Sequence, residues 1–463
     1  MSGIRRLAIV NRGESAMRCL AAVDELGYDF GEPVTTIALY TDPDATSLFV
    51  RQADEAVPLG PALIADPDGG RQSAYLDIDN VMTALARARA DSVWPGWGFV
   101  AESADFAARC EEAGITFVGP SSDVIRLLGD KMRAKQLAER LGIPVVPWSG
   151  GPVHDSHSAQ VAAGMLGYPV LVKAAAGGGG RGMRLVESES AMPTAFGSAQ
   201  REAEVAFGDP TVFIERKLDG VRHVEVQVIA DGQGTVWAAG IRDCSIQRRY
   251  QKVIEESGST KVGPVAEAAL RDAAVRLCRA VGYRSAGTVE FLVDPEREEF
   301  YFLEVNARIQ VEHPVTEAIT GLDLVEEQIA IAEGRPLRVR REDVAFAGHA
   351  IECRINAEDP RRGFLPSPGT ITGAVFPAGT GVRVDTHVQA GATVPPHYDS
   401  LLAKVIGHGA DRGEALATLR GAVDRCAVDG VVTNLDMHRA LLADAEFAKG
   451  GVDTGYLGRF LDG

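Results

Sequence analysis

Short apolar runs alternate with helix-patterned stretches along the first 120 residues. In these stretches apolar residues recur near every 3.6 positions, whereas the apolar runs have the length of strands. The predicted strands are residues 7–10, 36–40, 92–94 and 116–118, and the predicted helices are residues 15–26, 78–90 and 104–113. Such alternation predicts a parallel sheet with helices on both faces. We therefore expect residues 1–120 to form a doubly wound α/β domain.

The pattern changes after a helical stretch at residues 121–141, and two prolines then break it, so residues 121–146 are predicted to be a helical linker. Three short strands and one helix predict a small α+β unit over residues 147–218: strands 168–173, 184–186 and 212–215, and helix 190–207. Residues 219–345 contain the predicted strands 223–229, 235–239, 287–293 and 299–305 and the helix 265–281. Residues 346–463 have mixed patterns with glycine- and proline-rich joins, which predicts a mixed α+β C-terminal unit.

Composition narrows the class of protein. The 64 acidic and 47 basic side chains give a net charge of −17, which repels a nucleic-acid backbone. The longest uncharged stretch, residues 363–382, is interrupted by three prolines, so we expect no membrane partner. No secretory or transit pattern precedes the first strand, and the six cysteines are dispersed without a C-x-x-C pair. These features predict a cytoplasmic protein without disulfides or a zinc site.

A glycine-rich segment lies between two predicted strands. Gly177, Gly179 and Gly182 match G-x-G-x-x-G, but the segment joins strand to strand and lacks the Gly-Lys-Ser/Thr of a Walker loop. A hairpin tip with so few side chains can fold over a polyphosphate through its N–H groups, or it can be a solvent loop without a ligand. Lys173, at the end of the preceding strand, favours the phosphate interpretation.

Polar residues recur at every second position from residue 304 to residue 312. The pattern predicts an extended strand whose polar side chains share one face: Glu304, Asn306, Arg308, Gln310 and Glu312. A solvated edge strand has the same pattern. The apolar hairpin before it favours a buried site, because Glu290 and Glu304 are isolated acids in these runs and buried carboxylates need a cation.

The residue types predict a nucleotide site. Two carboxylates and the Asn306 amide oxygen form an oxygen-only ligand set, which suits Mg²⁺, or Mn²⁺, better than zinc. Magnesium usually keeps positions for phosphate oxygens, so this set implies a nucleotide. Arg308, Gln310 and Glu312 would then supply an anion clamp, a hydrogen-bonding group and a base, as phosphoryl transfer requires.

The sequence resembles biotin carboxylase of the ATP-grasp superfamily over nearly its whole length. The segments that carry the resemblance are NRGE (11–14), GGGRGM (178–183), RHVEVQ (222–227), RDCS (242–245), QK (251–252), EVNARIQVEHP (304–314), ECRINAE (352–358) and YDS (398–400). The resemblance implies an N-terminal doubly wound (pre-ATP-grasp) domain, an ATP-grasp lid over residues 147–218, an ATP-grasp core over residues 219–345 and a C-terminal α+β cap, often in a homodimer. One departure is Tyr250, where the family commonly has histidine; a phenol cannot become cationic.

The resemblance also implies roles for individual residues. The positions that match ATP contacts are Lys131, Lys173, Gly179, Gly180, Glu215, Lys217, Leu218 and His223. Glu290, Glu304 and Asn306 match magnesium ligands. The bicarbonate pocket matches Lys252, Arg308, Gln310, Val311 and Glu312, and Arg354 matches the arginine that faces biotin.

The implied reaction is ATP- and bicarbonate-dependent carboxylation of biotin. Glu312 deprotonates bicarbonate, the resulting carboxyphosphate decomposes to CO₂ and phosphate, and the phosphate removes the N1 proton of biotin while Arg354 stabilises the enolate oxygen. No Ala-Met-Lys-Met segment occurs, so biotin is expected on a carrier protein or domain, with a carboxyltransferase as further partner. Two alternatives remain open at this stage: an ATP-grasp ligase with an amine acceptor, and a nucleotide-binding scaffold subunit with little catalytic activity.

Overall fold

The structure is a computed structural model that describes residues 3–27, 33–65, 70–176 and 182–462. A five-stranded parallel sheet forms the N-terminal part, as the sequence predicts. Its strands are, in spatial order, Glu55–Gly60, Thr35–Thr41, Arg6–Ile9, Ser92–Trp94 and Thr116–Phe117. The helices of this part are Gly13–Leu26, Leu48–Gln52, Ile78–Ala88 and Ala104–Glu112, and a small hairpin pairs Leu63–Ala65 with Arg71–Ser73.

Alternate residues of the central strand enter different cores, which makes this sheet doubly wound. Ala8 packs in the core that contains Val81 and Phe106, from two helices on one face of the sheet. Leu7 and Ile9 point to the other face, into the core of the first helix. Period-two alternation between two apolar faces is what a sheet covered on both sides requires.

The predicted helical stretch at residues 121–141 is two helices, Ser122–Gly129 and Lys131–Arg140. The interruption is Asp130, whose extended backbone ends the first helix and whose carboxylate accepts hydrogen bonds from the N–H groups of Met132 and Arg133, both at 3.0 Å. Asp130 is thus the N-cap of the second helix. This cap places Lys131 at the first helical position.

A three-stranded antiparallel sheet follows, with Val170–Ala174 between Val212–Arg216 and Met183–Val186. The helices Ser156–Leu166 and Met192–Phe207 accompany it, and a 3₁₀ turn at Glu189–Ala191 replaces the start of the predicted helix 190–207. The glycine-rich connection is described only at its ends, so Gly179 and Gly180 lie outside the described residues.

An eight-stranded antiparallel sheet forms the largest part of the protein. Its strands are, in spatial order, Glu299–Asn306, Arg284–Asp294, Arg222–Asp231, Val236–Arg248, Gln251–Ser257, His349–Asn356, Leu401–Gly409 and Val382–Thr386. The strand predicted at residues 235–239 continues to Arg248, well beyond its predicted end. Hydrogen bonds between Gln251–Ser257 and His349–Asn356 continue the sheet across the predicted boundary at residues 345/346.

The remaining elements surround this sheet. The helices are Pro264–Ala280, His313–Thr320, Leu324–Ala332, Arg412–Arg425, Leu435–Ala443, Ala445–Lys449 and Tyr456–Asp462. Short strand pairs join Glu358–Asp359 to Leu365–Pro366, Gly369–Thr370 to Thr393–Val394, and Gly373–Val375 to Ala427–Asp429. Among the helices in the described ranges, none has the length and apolarity needed to cross a bilayer.

Arg222–Asp231, the third strand of this sheet, has an apolar face and a polar face, both buried. Val224, Val226 and Val228 pack in the core that includes the helix Pro264–Ala280. The alternate residues His223 and Glu225 are also buried, on the opposite face of the strand. Buried ionisable groups on that face need partners, and this face forms the floor of the site described below.

Arg222, at the start of this strand, gives a stability prediction. Its guanidinium is buried, lies 2.7 Å from Asp243 and donates to the Val452 carbonyl oxygen at 2.6 Å. Arg222→Met leaves the Asp243 carboxylate buried without this cation, which costs about 3 kcal/mol. We expect a lower urea midpoint and a lower thermal midpoint. Arg126→Met, which breaks only exposed pairs with Asp105 and Asp123, should change stability by less than about 1 kcal/mol. Equal midpoints for the two variants would contradict the structural role of Arg222.

Candidate active site

A cavity of about 1050 Å³ lies between the three-stranded sheet, the polar face of the eight-stranded sheet and the N-terminal part. It brings together most of the residues predicted from the sequence. Those lining it are Lys131, Lys173, Glu215, Lys217, Leu218, His223, Lys252, Glu290, Glu304, Asn306, Arg308, Gln310, Val311 and Arg354. Glu312 is fully buried directly behind this lining and bonds to two of its members.

The prediction that residues 304–312 form one extended strand is wrong beyond Asn306. The strand ends there, because the N–H of Ala307 donates to the Glu102 carboxylate at 3.0 Å instead of to a neighbouring strand. Residues 307–311 are a loop, and Glu312 directly precedes the helix His313–Thr320, with Pro314 in the first turn. The polar side chains of the segment still converge on the cavity, because side-chain hydrogen bonds fix the loop.

Lys252 is the centre of the charge network in the cavity. Its ammonium lies 2.6 Å from Glu225, 2.9 Å from Glu290 and 2.7 Å from Glu312. Burial lowers the pKa of Lys252, but the surrounding acidic groups outweigh it and raise the pKa well above its ordinary value. The ammonium therefore stays charged and holds carboxylates from three separate segments within reach of one another.

Glu312 is held between two cations. Its carboxylate lies 2.7 Å from Lys252 Nζ and 2.8 Å from the Arg354 guanidinium. Burial raises the pKa of Glu312, but Lys252 and Arg354 more than offset this and hold the pKa well below its ordinary value. The side chain is thus ionised, as a base must be before it accepts a proton.

Arg354 is oriented by Glu255 as well as by Glu312. Its Nε donates to Glu255 at 2.6 Å. Burial raises the pKa of Glu255 to about 7, against the lowering effect of Arg354 and with a further raising effect of Glu312. Arg354 lines the cavity with its guanidinium fixed at two points, which suits it to stabilise an anion of defined position.

Arg308 is fixed by hydrogen bonds on both sides. Its Nε donates to Glu102 at 2.9 Å, and its terminal nitrogens donate to Gln310 Oε1 at 2.8 Å and to Asn306 Oδ1 at 3.0 Å. Gln310 Nε2 in turn donates to Glu290 at 3.1 Å. A preformed, partly exposed guanidinium at the cavity wall is a binding group for a small anion.

The predicted magnesium ligands occupy two adjacent strands. Glu290 and Glu304 stand opposite each other in the antiparallel ladder, and Asn306 follows two residues after Glu304 on the same face. Glu290 is buried and accepts hydrogen bonds from Asn306 Nδ2 and Lys252, both at 2.9 Å, while Glu304 pairs with Lys131 at 3.2 Å. A half-turn of the Asn306 amide would exchange its present bonds to Glu290 and Arg308 for an oxygen on the Glu290 side. This oxygen-only donor set, open to the cavity, fits Mg²⁺.

Glu215 anchors the cavity side of the three-stranded sheet. Lys173 lies 2.7 Å from one carboxylate oxygen and Lys135 lies 2.6 Å from the other. Burial raises the pKa of Glu215, but both lysines outweigh it and lower the pKa to about 2. Burial lowers the pKa of Lys135, and the charge of Glu215 counteracts part of this effect.

The other predicted nucleotide contacts lie on the floor and rim of the cavity. His223 Nε2 is 2.9 Å from Glu290, and this carboxylate more than offsets the effect of burial, so that the pKa of His223 is raised. Lys217 pairs with Asp219 at the rim, next to Leu218. Tyr250, 54% exposed and with a φ of 69°, occupies the tight turn between two strands and lines the rim.

Several residues that hold the site were missed by the sequence analysis. Glu102 comes from the N-terminal part, Glu225 and Arg242 are buried partners within the sheet, and Glu255 and Lys135 bind predicted site residues. Glu225 and Arg242 carried a usable signal, because both lie in segments that carry the family resemblance, and Glu225 is also an acid within the apolar strand 223–229. The others become recognisable only when the tertiary structure brings their partners to them.

Three family models match consecutive parts of the chain. Residues 3–125 match the biotin carboxylase N-terminal domain, residues 130–340 match the ATP-binding domain of the carbamoyl-phosphate synthase L chain, and residues 352–459 match the biotin carboxylase C-terminal domain.

Full-length relatives agree with these matches. A biotin carboxylase from Pseudomonas aeruginosa is 48% identical over 455 residues, which cover 98% of each chain. The fold is similar to that of a biotin carboxylase from Campylobacter jejuni, with a TM-score of 0.92, 41% identity and coverage of 98% of this chain and 99% of that one. It is equally similar to the biotin carboxylase domain of 2-oxoglutarate carboxylase from Hydrogenobacter thermophilus, solved with Mg-ADP, ADP and bicarbonate, with a TM-score of 0.92, 40% identity and coverage of 99% and 98%. With a matching fold, matching flanking domains and this identity over nearly its whole length, the chain belongs to the biotin carboxylase family.

Proposed function

We propose that this protein carboxylates biotin with ATP and bicarbonate, through carboxyphosphate, and that its residues have the roles derived below. The observation that supports this most directly is the position of Glu312, a buried carboxylate between Lys252 and Arg354. It lies directly behind the lining of a cavity that also contains an oxygen-only ligand set. A base, an anion clamp and a divalent-cation site around one cavity are the groups that transfer of phosphate to bicarbonate requires.

The nucleotide is proposed to lie between the two sheets. Its contacts are Lys131, Lys173, Glu215, Lys217, Leu218 and His223, together with Gly179 and Gly180 of the glycine-rich segment. Glu290, Glu304 and Asn306 would hold Mg²⁺, which neutralises phosphate charge and orients the γ-phosphate when it is bound.

Bicarbonate is proposed to bind against Lys252 and Arg308, with Gln310 and Val311 at its sides. Glu312 accepts the bicarbonate proton, and the bicarbonate oxygen attacks the γ-phosphorus of ATP, so that ADP leaves and carboxyphosphate forms. Arrival of the anion gives Lys252 a new partner. The new partner draws the ammonium away from Glu312. The carboxylate of Glu312 then becomes more basic at the step in which it accepts the proton.

Carboxyphosphate then decomposes to CO₂ and phosphate. The phosphate takes the N1 proton of biotin, and the nitrogen attacks CO₂ to give carboxybiotin. Arg354 is proposed to stabilise the negative charge that develops on the ureido oxygen of biotin, because its guanidinium is already aligned by Glu255 and keeps its charge.

The proposal extends to assembly and location. Biotin would arrive on a carrier protein or domain and leave as carboxybiotin for a carboxyltransferase, and the protein would form a homodimer, as the domain from Hydrogenobacter thermophilus does. We assign residues 147–218 as the lid that closes over the nucleotide. The N-terminal domain is residues 1–120, the linker residues 121–146, the core residues 219–345 and the C-terminal cap residues 346–463. A cytoplasmic location agrees with six unpaired, buried cysteines.

The function is tested by ADP release, measured with each substrate omitted in turn. Turnover should require bicarbonate and increase with free biotin, whereas ammonia in place of biotin should have no effect. Turnover that depends on ammonia and not on biotin would instead support a ligase with an amine acceptor.

Glu312→Gln tests the base. The amide keeps the shape of the side chain but cannot accept the proton, so we expect bicarbonate-dependent ADP release to fall by about 10²–10⁴-fold with nucleotide affinity nearly unchanged. Glu256→Gln is the matched control and should retain most of the turnover, since Glu256 is likewise a buried, ion-paired glutamate but contacts neither Lys252 nor Arg354 and does not line the cavity. Full turnover in Glu312→Gln would refute the assignment.

Glu102→Gln tests the orientation of Arg308. Glu102 binds both the Arg308 guanidinium and the N–H of Ala307, so its neutral amide should loosen the anion clamp without removing it. We expect KM for bicarbonate to rise about tenfold, the effect of losing one charge-assisted hydrogen bond, with a smaller change in kcat. An unchanged KM would show that Arg308 is positioned without Glu102.

A further inference from the structure

Two buried lysines share one carboxylate at the base of the three-stranded sheet. Lys173 and Glu215 are on adjacent strands of this sheet, whereas Lys135 reaches the other oxygen of Glu215 from the helix Lys131–Arg140. Lys173 and Glu215 line the cavity, and Lys135, 1% exposed, does not. We call these residues the Glu215 triad.

The triad carries one negative and two positive charges. The helix that carries Lys135 has one acid, Glu139. This side chain is exposed and accepts a hydrogen bond from Trp148 Nε1 at 2.9 Å. Within the described part of the chain, Glu215 is the acid in ion-pair contact with Lys135 and with Lys173. One positive charge is therefore left over, and Lys173 is the member through which it faces the cavity.

We propose that Lys135 is a positioning residue that frees Lys173 to bind the phosphates of the nucleotide. When Lys173 turns towards a phosphate, Glu215 keeps Lys135 as its counter-ion and remains neutralised. If Lys135 were absent, the same turn would leave a buried carboxylate without a partner, so Lys173 would stay paired with Glu215. This inference rests on the nucleotide site of the proposed function.

The test compares ligands with and without phosphates. The dissociation constants of the Mg²⁺ complex of β,γ-imido-ATP and of adenosine are measured by displacement of a fluorescent nucleotide. In Lys135→Met, we expect the constant for the ATP analogue to rise at least about tenfold and the constant for adenosine to stay within about twofold. Lys135→Arg, which keeps the charge, should retain most of the affinity for the analogue.

Two further variants separate charge from folding. Lys135→Met leaves the neutral Lys173–Glu215 pair intact and so is expected to fold. The double variant Lys135→Met/Glu215→Gln again leaves one unpaired positive charge on Lys173, and it should recover part of the preference for the analogue over adenosine. The ratio of the two dissociation constants is the measure, because Glu215 is itself a proposed nucleotide contact. Arg133→Met, on the exposed side of the same helix, is the matched control and should bind both ligands as the unmodified protein does.

The outcomes are distinct. Equal weakening of both ligands in Lys135→Met, or no weakening of either, would overturn the role of Lys135 even if the protein carboxylates biotin. Loss of affinity for the analogue alone, with recovery in the double variant, would support it even if biotin were not the acceptor. An unmodified protein that binds the analogue no more tightly than adenosine would overturn both the nucleotide site and this inference.

Discussion

The site depends on one largely buried ammonium, that of Lys252. Lys252 contacts Glu225, Glu290 and Glu312, which come from two strands and a loop, and without a cation these acids would repel one another in a region with little water. Arg242 supplies a second buried cation at Glu225. The numbers of acidic and basic groups in this network have to match, because a buried ion pair stabilises little by itself but is costly to break. The network therefore fixes positions more than it adds stability.

The same charges link parts of the chain that are distant in sequence. Glu102 of the N-terminal part holds Arg308 of the loop 307–311, and Arg354, from a strand beyond residue 346, binds Glu312. The loop that follows Asn306 has no strand partner for Ala307, so it takes its shape from these side chains. A site assembled in this way is ordered before any substrate arrives, which lowers the entropic cost of binding.

Much of the fold could be predicted from the sequence, and the errors have physical causes. Period-two and period-3.6 patterns located four of the five strands of the N-terminal sheet and the longer helices around it, because each of those elements buries its own apolar face. The patterns missed the strand Glu55–Gly60 and helices such as Ser156–Leu166 and Arg412–Arg425. The period-two pattern failed after Asn306, where apolar and polar residues still alternate although the strand has ended. There, Ala307 and Ile309 enter two different apolar cores from a loop, and the pattern resembles that of a strand. The cap at Asp130 was missed because a single side chain sets that boundary.

Some residues of the site could be predicted from the sequence and others could not. Residues within recognisable motifs, such as Glu304 and Arg354, could be named from the sequence, and they line the cavity. Their partners could not, since Glu102 and Lys135 lie in helical or loop segments without a distinctive pattern and gain meaning from a neighbour about 80 or more positions away.

The eight-stranded sheet has a consequence for how the protein can be divided. Sequence families treat residues 130–340 and 352–459 as separate modules, yet Gln251–Ser257 and His349–Asn356 are neighbouring strands of one sheet. Separating the two modules would expose two edge strands, each with unpaired N–H and C=O groups that promote aggregation. Strand pairing between the two modules therefore favours their inheritance together over their exchange between proteins.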